Sequence, residues 1–300
     1  MTERRTGSFY ALSLVFGLYV LFLYGPTLTI LTLSFQGPTG GMTFPMQGVS
    51  LHWFRDLYAG IGVPNVVGAL WNSLKLGLVV TVLTVVISIL AGYAFRRRFR
   101  GQDALFFTAV ASLILPSIVV SLGIALEFQL LNQTTSAVGD RLEIEWIQDT
   151  FRTWMGLFTS GLGAQLTWTL PFGLLIMFAV FNRFNPAYEE AARDLGATPW
   201  QTFRHVVLPI IAPSVVGVAL FGFTLSWDEI ARSSQTVGSA NTLPLTLQGL
   251  TTTVTTPVIY ALGTVTTLVS FTAIALALAA VWWAERRRTR RLSDAGSGLM

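Results

Sequence analysis

The chain has 300 residues, of which 52% are hydrophobic and 11% charged, with a mean hydropathy of +0.61 and a net charge of +4. Charged residues make up about 25% of an ordinary soluble domain. This composition therefore excludes an ordinary soluble domain and indicates a membrane protein. The absence of cysteine excludes disulfides, a thiol nucleophile and a cysteine-ligated metal, and the two histidines, His52 and His205, are too far apart to favour a zinc site.

Six apolar segments follow one another along the chain, and each is long enough for a membrane-spanning helix of about 20 residues. We predict spans near residues 9–35, 69–95, 104–131, 162–181, 210–230 and 260–283, with Pro116 breaking the third. The first segment could instead be a signal peptide, but it is long for one and no Ala-x-Ala site follows it. The expected fold is an all-α integral membrane protein with six transmembrane helices.

The segments between the spans are polar or rich in turn-forming residues. Residues 36–67 are predicted to be a loop with an amphipathic piece at 51–57, whose aromatic side chains suit the membrane–water interface. Residues 132–160 are predicted to be a polar loop that carries four acidic side chains. A further outer loop, rich in serine and threonine, separates spans five and six.

The basic residues predict the orientation. With both termini in the cytoplasm, cytoplasmic segments hold fourteen Lys and Arg residues, while clearly external loops hold three, namely Arg55, Arg141 and Arg152. The positive-inside rule therefore favours six spans with both ends cytoplasmic. The same rule explains the basic run at 286–291, so no nucleic-acid partner is needed to account for it.

The most charged interior segment lies between spans four and five, on the predicted cytoplasmic side. It begins with the helix-start signal Asn185-Pro186 and has Gly196 placed as a helix stop. Thr198, Pro199 and Gln201 then give a second start that is close to a capping box. We name residues 185–209 the coupling segment and predict two short helices joined at Gly196.

The spacing in this segment is specific. Glu190-Ala191-Ala192 is followed after three residues by Gly196, and after nine more by Val206, one residue and Leu208-Pro209. This pattern resembles the "EAA" loop of binding-protein-dependent ABC importer permeases, with valine in place of the consensus isoleucine. The resemblance implies a type I importer permease fold and a loop that docks on a cytoplasmic ATPase. The residues expected to carry the coupling are Glu189, Glu190, Ala191, Ala192, Asp194, Gly196, Leu208 and Pro209. Alone, Glu189 and Arg193 would be read as an exposed i, i+4 pair.

Other stretches resemble the polyamine (spermidine/putrescine) permease subfamily, in the same order along the chain. They include 51–54, 72–77, 96–101, 115–116, 170–172 and 225–229. The last has Trp227 where the subfamily more often has phenylalanine, residues 132–160 look longer than expected, and the threonine-rich stretch at 251–256 is unfamiliar. The resemblance implies a first helix and external loop at 1–64, a permease domain at 65–284 and a basic cytoplasmic tail at 285–300.

Four residues are candidates for the solute pathway: Pro116, Trp227, Asp228 and Glu229. The two carboxylates are predicted to lie near the outer face of the membrane, where they would attract a cationic solute. A structural role is the open alternative, in which Arg232 compensates the charge of Asp228 four residues earlier. Pro116 could be a simple kink.

The predicted function is that of the transmembrane subunit of an ATP-driven importer that moves a small solute, with a polyamine favoured, by alternating access. The chain lacks the Walker A pattern, so it is not expected to be an enzyme, and ATP is expected on a partner subunit with no cofactor bound here. The resemblance implies an ATPase dimer, a second permease chain and an external solute-binding protein, in a prokaryotic inner membrane. The alternatives are a different solute, a secondary transporter or channel, or an intramembrane enzyme, for which we find no catalytic constellation.

Overall fold

The computed structural model of the chain describes residues 7–61, 63, 65–253 and 256–297. Within these ranges the regular structure is helical, apart from one isolated bridge between Gln36 and Val49. The helices are α1 (Gly7–Leu33), α2 (His52–Ala59), α3 (Val66–Ala94), α4 (Gln102–Ala111), α5 (Ser117–Leu142), α6 (Ser160–Asn182), α7 (Ala187–Asp194), α8 (Pro199–Thr202), α9 (Leu208–Trp227), α10 (Leu243–Thr253) and α11 (Val258–Ser297). π-Helical turns are present at Trp146–Thr150 and Phe203–Val207. The predicted all-α class is confirmed.

Five helical segments in the described part of the chain are long and apolar enough to cross a membrane. They are Gly7–Leu33, Val66–Ala94, Ser160–Asn182, Pro199–Trp227 and Val258–Ala279. The remaining predicted span is divided between α4 and α5, because the chain leaves the helical conformation between Ser112 and Pro116. Proline has no N–H to donate and its ring clashes with the preceding turn of a helix, so a break is expected there. This arrangement is compatible with six spans. The terminal residues 1–6 and 298–300 lie outside the described residues.

The predicted loop at 132–160 is partly wrong. Helix α5 continues to Leu142 before Glu143, at φ +51°, ends it. The segment is polar but contains no proline, and hydroxyl groups on this stretch bond back to the helix, as Thr134 Oγ1 does to the Leu130 carbonyl at 2.8 Å. Low hydropathy ends the membrane span without ending the helix. The unfamiliar stretch 251–256 lies in α10 up to Thr253, and residues 254 and 255 are outside the described residues.

One compact unit comprises the described residues of 1–67 and 246–269. Its buried side chains include Leu33, Trp53, Leu57 and Leu262. The side chain of Gln36 is fully buried and organises the loop after α1, since its Oε1 accepts a hydrogen bond from the Gln47 amide at 2.6 Å. Most of α1 is exposed, as expected for a helix whose apolar surface faces lipid or a partner.

A second compact unit comprises 68–245 and the described residues of 270–300. Its core lies where α3, α6 and α9 meet, and its buried members include Ile89, Met177, Phe181, Val207 and Ile211. Polar contacts also cross this interior, such as the 2.7 Å hydrogen bond between the hydroxyl groups of Thr84 and Thr169. Hydrogen bonds of this kind hold helices together where lipid removes the hydrophobic drive for association.

Helices α3 and α6 approach each other closely at Gly173. A Cβ atom added there would lie 2.2 Å from the Ser88 Oγ and 3.1 Å from the Thr84 Cγ2. Small residues at such points allow the helix backbones to come close together. Gly163 on the same helix has nothing within 4 Å of an added Cβ, so the requirement for glycine is local to the contact.

Candidate functional site

The coupling segment folds as the two helices that its sequence predicts. Helix α7 begins at Ala187, whose amide donates to the Asn185 Oδ1 at 3.0 Å. It ends at Asp194; Gly196, two residues later, adopts φ +83°, and the Ala197 amide donates to the Ala192 carbonyl at 3.0 Å. A left-handed residue followed by such a bond is a common helix stop, and glycine adopts that conformation without a Cβ clash.

Helix α8 starts with the predicted capping box. The Thr198 amide donates to the Gln201 side chain at 2.8 Å, and the Gln201 amide donates to the Thr198 Oγ1 at 3.3 Å. The chain then passes through the π-helical turn Phe203–Val207 directly into α9, and Val207 is fully buried in the core. The coupling segment is therefore continuous with a helix of the membrane interior.

The apolar side chains of the coupling segment are mostly uncovered. Tyr188 is 54% exposed, Leu195 89% and Trp200 65%. Glu190 and Asp194 are also exposed. The structure leaves these side chains without contacts that would bury them among the described residues of the chain. Large exposed apolar side chains among charged ones mark a surface for another protein.

Glu189 behaves differently from its neighbours on α7. It is 6% exposed, and its Oε1 lies 2.6 Å from the Arg96 Nη1. Arg193, the partner that the i, i+4 spacing suggests, lies farther away at 3.7 Å. The interpretation of Glu189 and Arg193 as a simple exposed pair is wrong, because Arg96, which follows α3, reaches the carboxylate from a distant part of the sequence.

Aromatic rings enclose the Arg96 guanidinium. Its Cζ lies 5.2 Å from the ring centre of Tyr93, 5.6 Å from that of Phe181 and 5.0 Å from that of Phe184. Cation–π contacts of this length attract the guanidinium, and the stack keeps its planar donors directed at Glu189. Arg96 thus joins the end of α3, the end of α6 and the start of α7. The sequence showed a basic run at 96–100, but no signal in it pairs one arginine with Glu189.

The solute-pathway candidates lie around the end of α9. Trp227 is buried and stacks on Phe223, with 5.6 Å between ring centres. Asp228 follows α9 and is exposed, whereas the Glu229 carboxylate accepts a hydrogen bond from the Arg232 amide at 2.9 Å. The alternative in which Arg232 compensates the charge of Asp228 is wrong, since the guanidinium of Arg232 extends away to other partners.

Arg232 is fully buried and forms what we call the interior network. Its Nη1 donates to the Thr167 Oγ1, its Nη2 to the Ser112 carbonyl at 3.2 Å and its Nε to the Ser117 Oγ at 3.3 Å. The guanidinium also lies 4.9 Å from the ring centre of Trp168. Two of these partners, Ser112 and Ser117, flank the α4–α5 break, so Pro116 and Glu229 lie beside one network that Asp228 does not join. Among the described residues, no cluster of acidic and histidine side chains could hold a metal ion.

Residues 84–290 match a family described as "binding-protein-dependent transport system inner membrane component". The chain belongs to this family. Its members are inner-membrane permease components of transport systems, which makes this chain a multi-pass membrane subunit of an ABC importer and not an enzyme in itself. The match covers α6, the coupling segment and α9, which hold most of the predicted site.

Curated relatives in this family differ in the solute that their names print. The chain is 28% identical over 257 residues to the spermidine/putrescine transport system permease protein PotC of Haemophilus influenzae, covering 85% of this chain and 90% of that one. It is 30% identical over 233 residues to the trehalose transport system permease protein SugB of Mycobacterium tuberculosis, covering 75% and 76%. The importer family and its polyamine-type resemblance are thus supported.

Solved structures confirm the fold. A chain of a bacterial ABC transporter involved in the import of the acidic polysaccharide alginate superposes with a TM-score of 0.62 at 18% identity, covering 94% of this chain and 95% of that one. A chain of the MetNI methionine ABC transporter, in an inward-facing conformation, superposes with a TM-score of 0.53 at 17% identity, covering 73% and 95%. The architecture is that of an ABC transporter permease.

Proposed function

We propose that the coupling segment joins this permease subunit to a cytoplasmic ATPase, and that the solute it carries inward is a polyamine. The observation that carries the first part is the exposed surface of α7 and α8, where Tyr188, Leu195 and Trp200 stand uncovered beside Glu190 and Asp194. A side-chain hydrogen bond fixes the start of each of these two helices. A preformed surface loses little conformational entropy when it binds a partner.

Two connections would carry a movement of the ATPase into the membrane. One runs along the chain, from α8 through the π-helical turn to Leu208 and Pro209 at the start of α9. The other is the Glu189–Arg96 ion pair, which links α7 to the end of α3. In this mechanism the ATPase dimer closes on binding ATP, α7 follows, and the spans alternate between outward and inward access.

The partners in this proposal are a pair of ATPase subunits, a second permease chain and a solute-binding protein outside a prokaryotic inner membrane. The alginate transporter has been solved in complex with an alginate-bound periplasmic protein, which supports this kind of partner for a chain of the same fold. ATP would be bound and hydrolysed by the partner, with no cofactor on this chain and no nucleic acid involved.

The polyamine proposal rests on the relatives and on charge. Helix α9 has 20 residues, or about 30 Å, so Asp228 lies at the end of the span opposite the coupling segment. An exposed carboxylate there would raise the local concentration of a cationic solute. The second candidate is an uncharged solute, which is favoured by the trehalose relative.

The coupling proposal is tested by Glu190→Lys and Gly196→Asp, made separately. We expect each protein to insert normally, to lose uptake and to lose the co-purifying ATPase. Lysine reverses the charge at the docking surface, and aspartate at φ +83° strains the turn between the helices. The control is Glu145→Lys, an equal charge change at an exposed residue outside the segment. Wild-type uptake by an inserted Glu190→Lys protein would refute the proposal.

The solute proposal is tested by Asp228→Asn with competition by spermidine, putrescine and trehalose. We expect normal insertion and a loss of polyamine uptake, because the exposed carboxylate is removed while the interior network keeps its bonds. Asp140→Asn, also exposed, is the control. Inhibition of uptake by trehalose and not by polyamines would replace the cationic solute by the second candidate while leaving the coupling proposal intact.

The orientation is tested with single cysteines, since the native chain has none. Cysteine at Thr134 or Thr251 should react with an impermeant thiol reagent applied to intact cells, and cysteine at Thr198 should not. All three positions are exposed, so burial does not account for a difference. Labelling at Thr198 from outside would overturn the orientation.

A further inference from the structure

A cavity of about 600 Å³ opens beside the coupling segment, between the end of α3 and the start of α7. We name it the arginine cavity. Its charged lining consists of Arg96, Arg97, Arg98, Arg193, Glu189 and Glu190. Because Arg96 and Glu189 are paired at 2.6 Å, three arginines face one further carboxylate. The cavity therefore carries a net positive charge and suits an anion.

A second, smaller cavity of about 240 Å³ adjoins the first and has a more apolar wall. The two share Phe95, Arg96, Gln102, Phe181 and Asn182. Beyond these, the smaller cavity is lined by Phe106 and Phe178, which also pack against each other with 5.1 Å between ring centres. It carries one acidic side chain, Asp103. The arginine cavity thus adjoins the smaller cavity, which lies between α3, α4 and α6 and which we name the aromatic slot.

The arginine cavity lies at the end of a candidate span, where lipid headgroups are expected. Helix α3, a candidate span, ends at Ala94, and Arg96 to Arg98 follow within four residues. Basic side chains at the cytoplasmic end of a span lie where anionic phospholipids give the membrane surface a negative potential. Arg97 and Arg98 are exposed and have no acidic partner within ion-pair distance among the described residues, so their charge is available to a ligand.

From this arrangement we propose that the arginine cavity binds the phosphate of an anionic phospholipid, with an acyl chain in the adjoining aromatic slot. The phosphate would lie among Arg97, Arg98 and Arg193, and would replace water at the donors of Arg97 and Arg98. Such a lipid would contact α7 and the Arg96–Glu189 pair at once. Its headgroup would therefore affect how firmly the coupling segment is held, whichever solute is carried.

A free phosphate compound shares the headgroup's chemistry but has no acyl chain to fill the aromatic slot. We assign the site to a lipid because of the aromatic lining, since an ion such as glycerol 3-phosphate would contact only the arginine cavity. The difference gives the experiment two arms, one with phosphatidylglycerol and one with glycerol 3-phosphate.

The test measures lipid retained by the full-length protein in a neutral detergent, using native mass spectrometry after addition of phosphatidylglycerol or phosphatidylcholine. We expect the wild type to retain phosphatidylglycerol selectively. The double variant Arg97→Gln, Arg98→Gln should retain about 25-fold less, since each basic side chain near an anionic surface contributes roughly five-fold in binding. The matched control is Arg100→Gln, Arg183→Gln, which removes the same charge from exposed arginines outside the cavity.

Several outcomes overturn the proposal. Equal lipid retention by the two double variants would show that surface charge, and not the cavity, holds the lipid. Displacement of the bound lipid by millimolar glycerol 3-phosphate would assign the site to a free phosphate compound. Loss of the co-purifying ATPase from the Arg97→Gln, Arg98→Gln protein in phosphatidylcholine nanodiscs would assign the arginines to the ATPase contact. Lipid retention is measured on the permease alone, so the retention result is independent of uptake and of the proposed solute.

Discussion

Arg96 and Arg232 are both held within the second compact unit, but by different chemistry. Arg96 has a carboxylate partner, Glu189, and three aromatic rings around its guanidinium. Arg232 has no carboxylate within ion-pair distance among the described residues and instead donates to two hydroxyl groups and a backbone carbonyl. At Arg96 the positive charge is the important property, because it compensates the buried carboxylate of Glu189. At Arg232 the planar geometry of the guanidinium is the important property, because it allows one group to reach three acceptors in different directions.

The two arginines also connect different parts of the chain. Arg96 joins the coupling segment to the ends of α3 and α6, so it lies on the path by which the ATPase is proposed to act. Arg232 joins the segment after α9 to the α4–α5 break and to the first half of α6. Arg96 thus links the coupling segment to two spans, and Arg232 links segments within the interior. Substitutions by methionine, which removes charge, and by lysine, which keeps it, separate the two roles.

Arg96→Met should have the largest effect, a loss of about 3 kcal/mol in the free energy of unfolding, because it leaves the buried Glu189 without its cation. Arg193 at 3.7 Å is too far to replace it fully. Denaturant unfolding in detergent measures the loss, with the exposed Arg100→Met as control. The double variant Arg96→Met, Glu189→Met should recover most of it. A loss below about 1 kcal/mol would contradict the dependence of Glu189 on Arg96.

Arg232→Lys should have the second largest effect, a loss of about 2 kcal/mol in the free energy of unfolding. An ammonium group is compact and strongly hydrated, and it cannot reach the Thr167 hydroxyl, the Ser117 hydroxyl and the Ser112 carbonyl together. The charge would remain buried with fewer hydrogen bonds. The same unfolding experiment measures it. Stability equal to that of the wild type would show that charge alone satisfies the interior network.

Arg232→Met should be milder than Arg232→Lys, at about 1 kcal/mol. Removing the charge abolishes its desolvation cost, which offsets much of the loss of hydrogen bonds. The Thr167 hydroxyl keeps its 2.7 Å bond to the Ala164 carbonyl, so the Ser112 carbonyl is the main group left without a donor. If methionine proves more destabilising than lysine at this position, the distinction between charge and shape fails.

Arg96→Lys should have the smallest effect, about 0.5 kcal/mol. Lysine keeps the cation near Glu189 and keeps part of the cation–π attraction to the aromatic rings, which an ammonium also feels. Unfolding of Arg96→Lys beside Arg96→Met gives the comparison within one site. A loss as large as that of Arg96→Met would show that the guanidinium geometry, and not the charge, matters here.

Local signals made the coupling segment predictable. Its helix starts, the stop at Gly196 and the capping box depend on residues within four positions of each other, and the structure has all of them. The spans were predictable for a similar reason, because an apolar run of sufficient length is a property of one segment. The α4–α5 break followed from Pro116 alone.

Both arginine sites lay beyond that kind of reasoning. Arg96 and Glu189 are 93 residues apart, and Arg232 and Ser112 are 120 apart, so only the packing of the helices brings them together. The sequence suggested nearby partners instead, Arg193 for Glu189 and Asp228 for Arg232. Hydropathy did not predict the extension of α5 to Leu142. The hydropathy falls after Leu131, but the helix continues until Glu143 stops it.

The close approach at Gly173 has a consequence for how the subunit moves. With Ser88 Oγ only 2.2 Å from where a Cβ would stand, α3 and α6 fit closely in one axial register, and a slide by one helical turn would bring the larger Thr169 or Met177 against Ser88. We therefore expect α3 and α6 to move together rather than to slide past each other. If the subunit alternates between access states, we expect the backbone to bend at residues 112–116, where it already departs from the helical conformation.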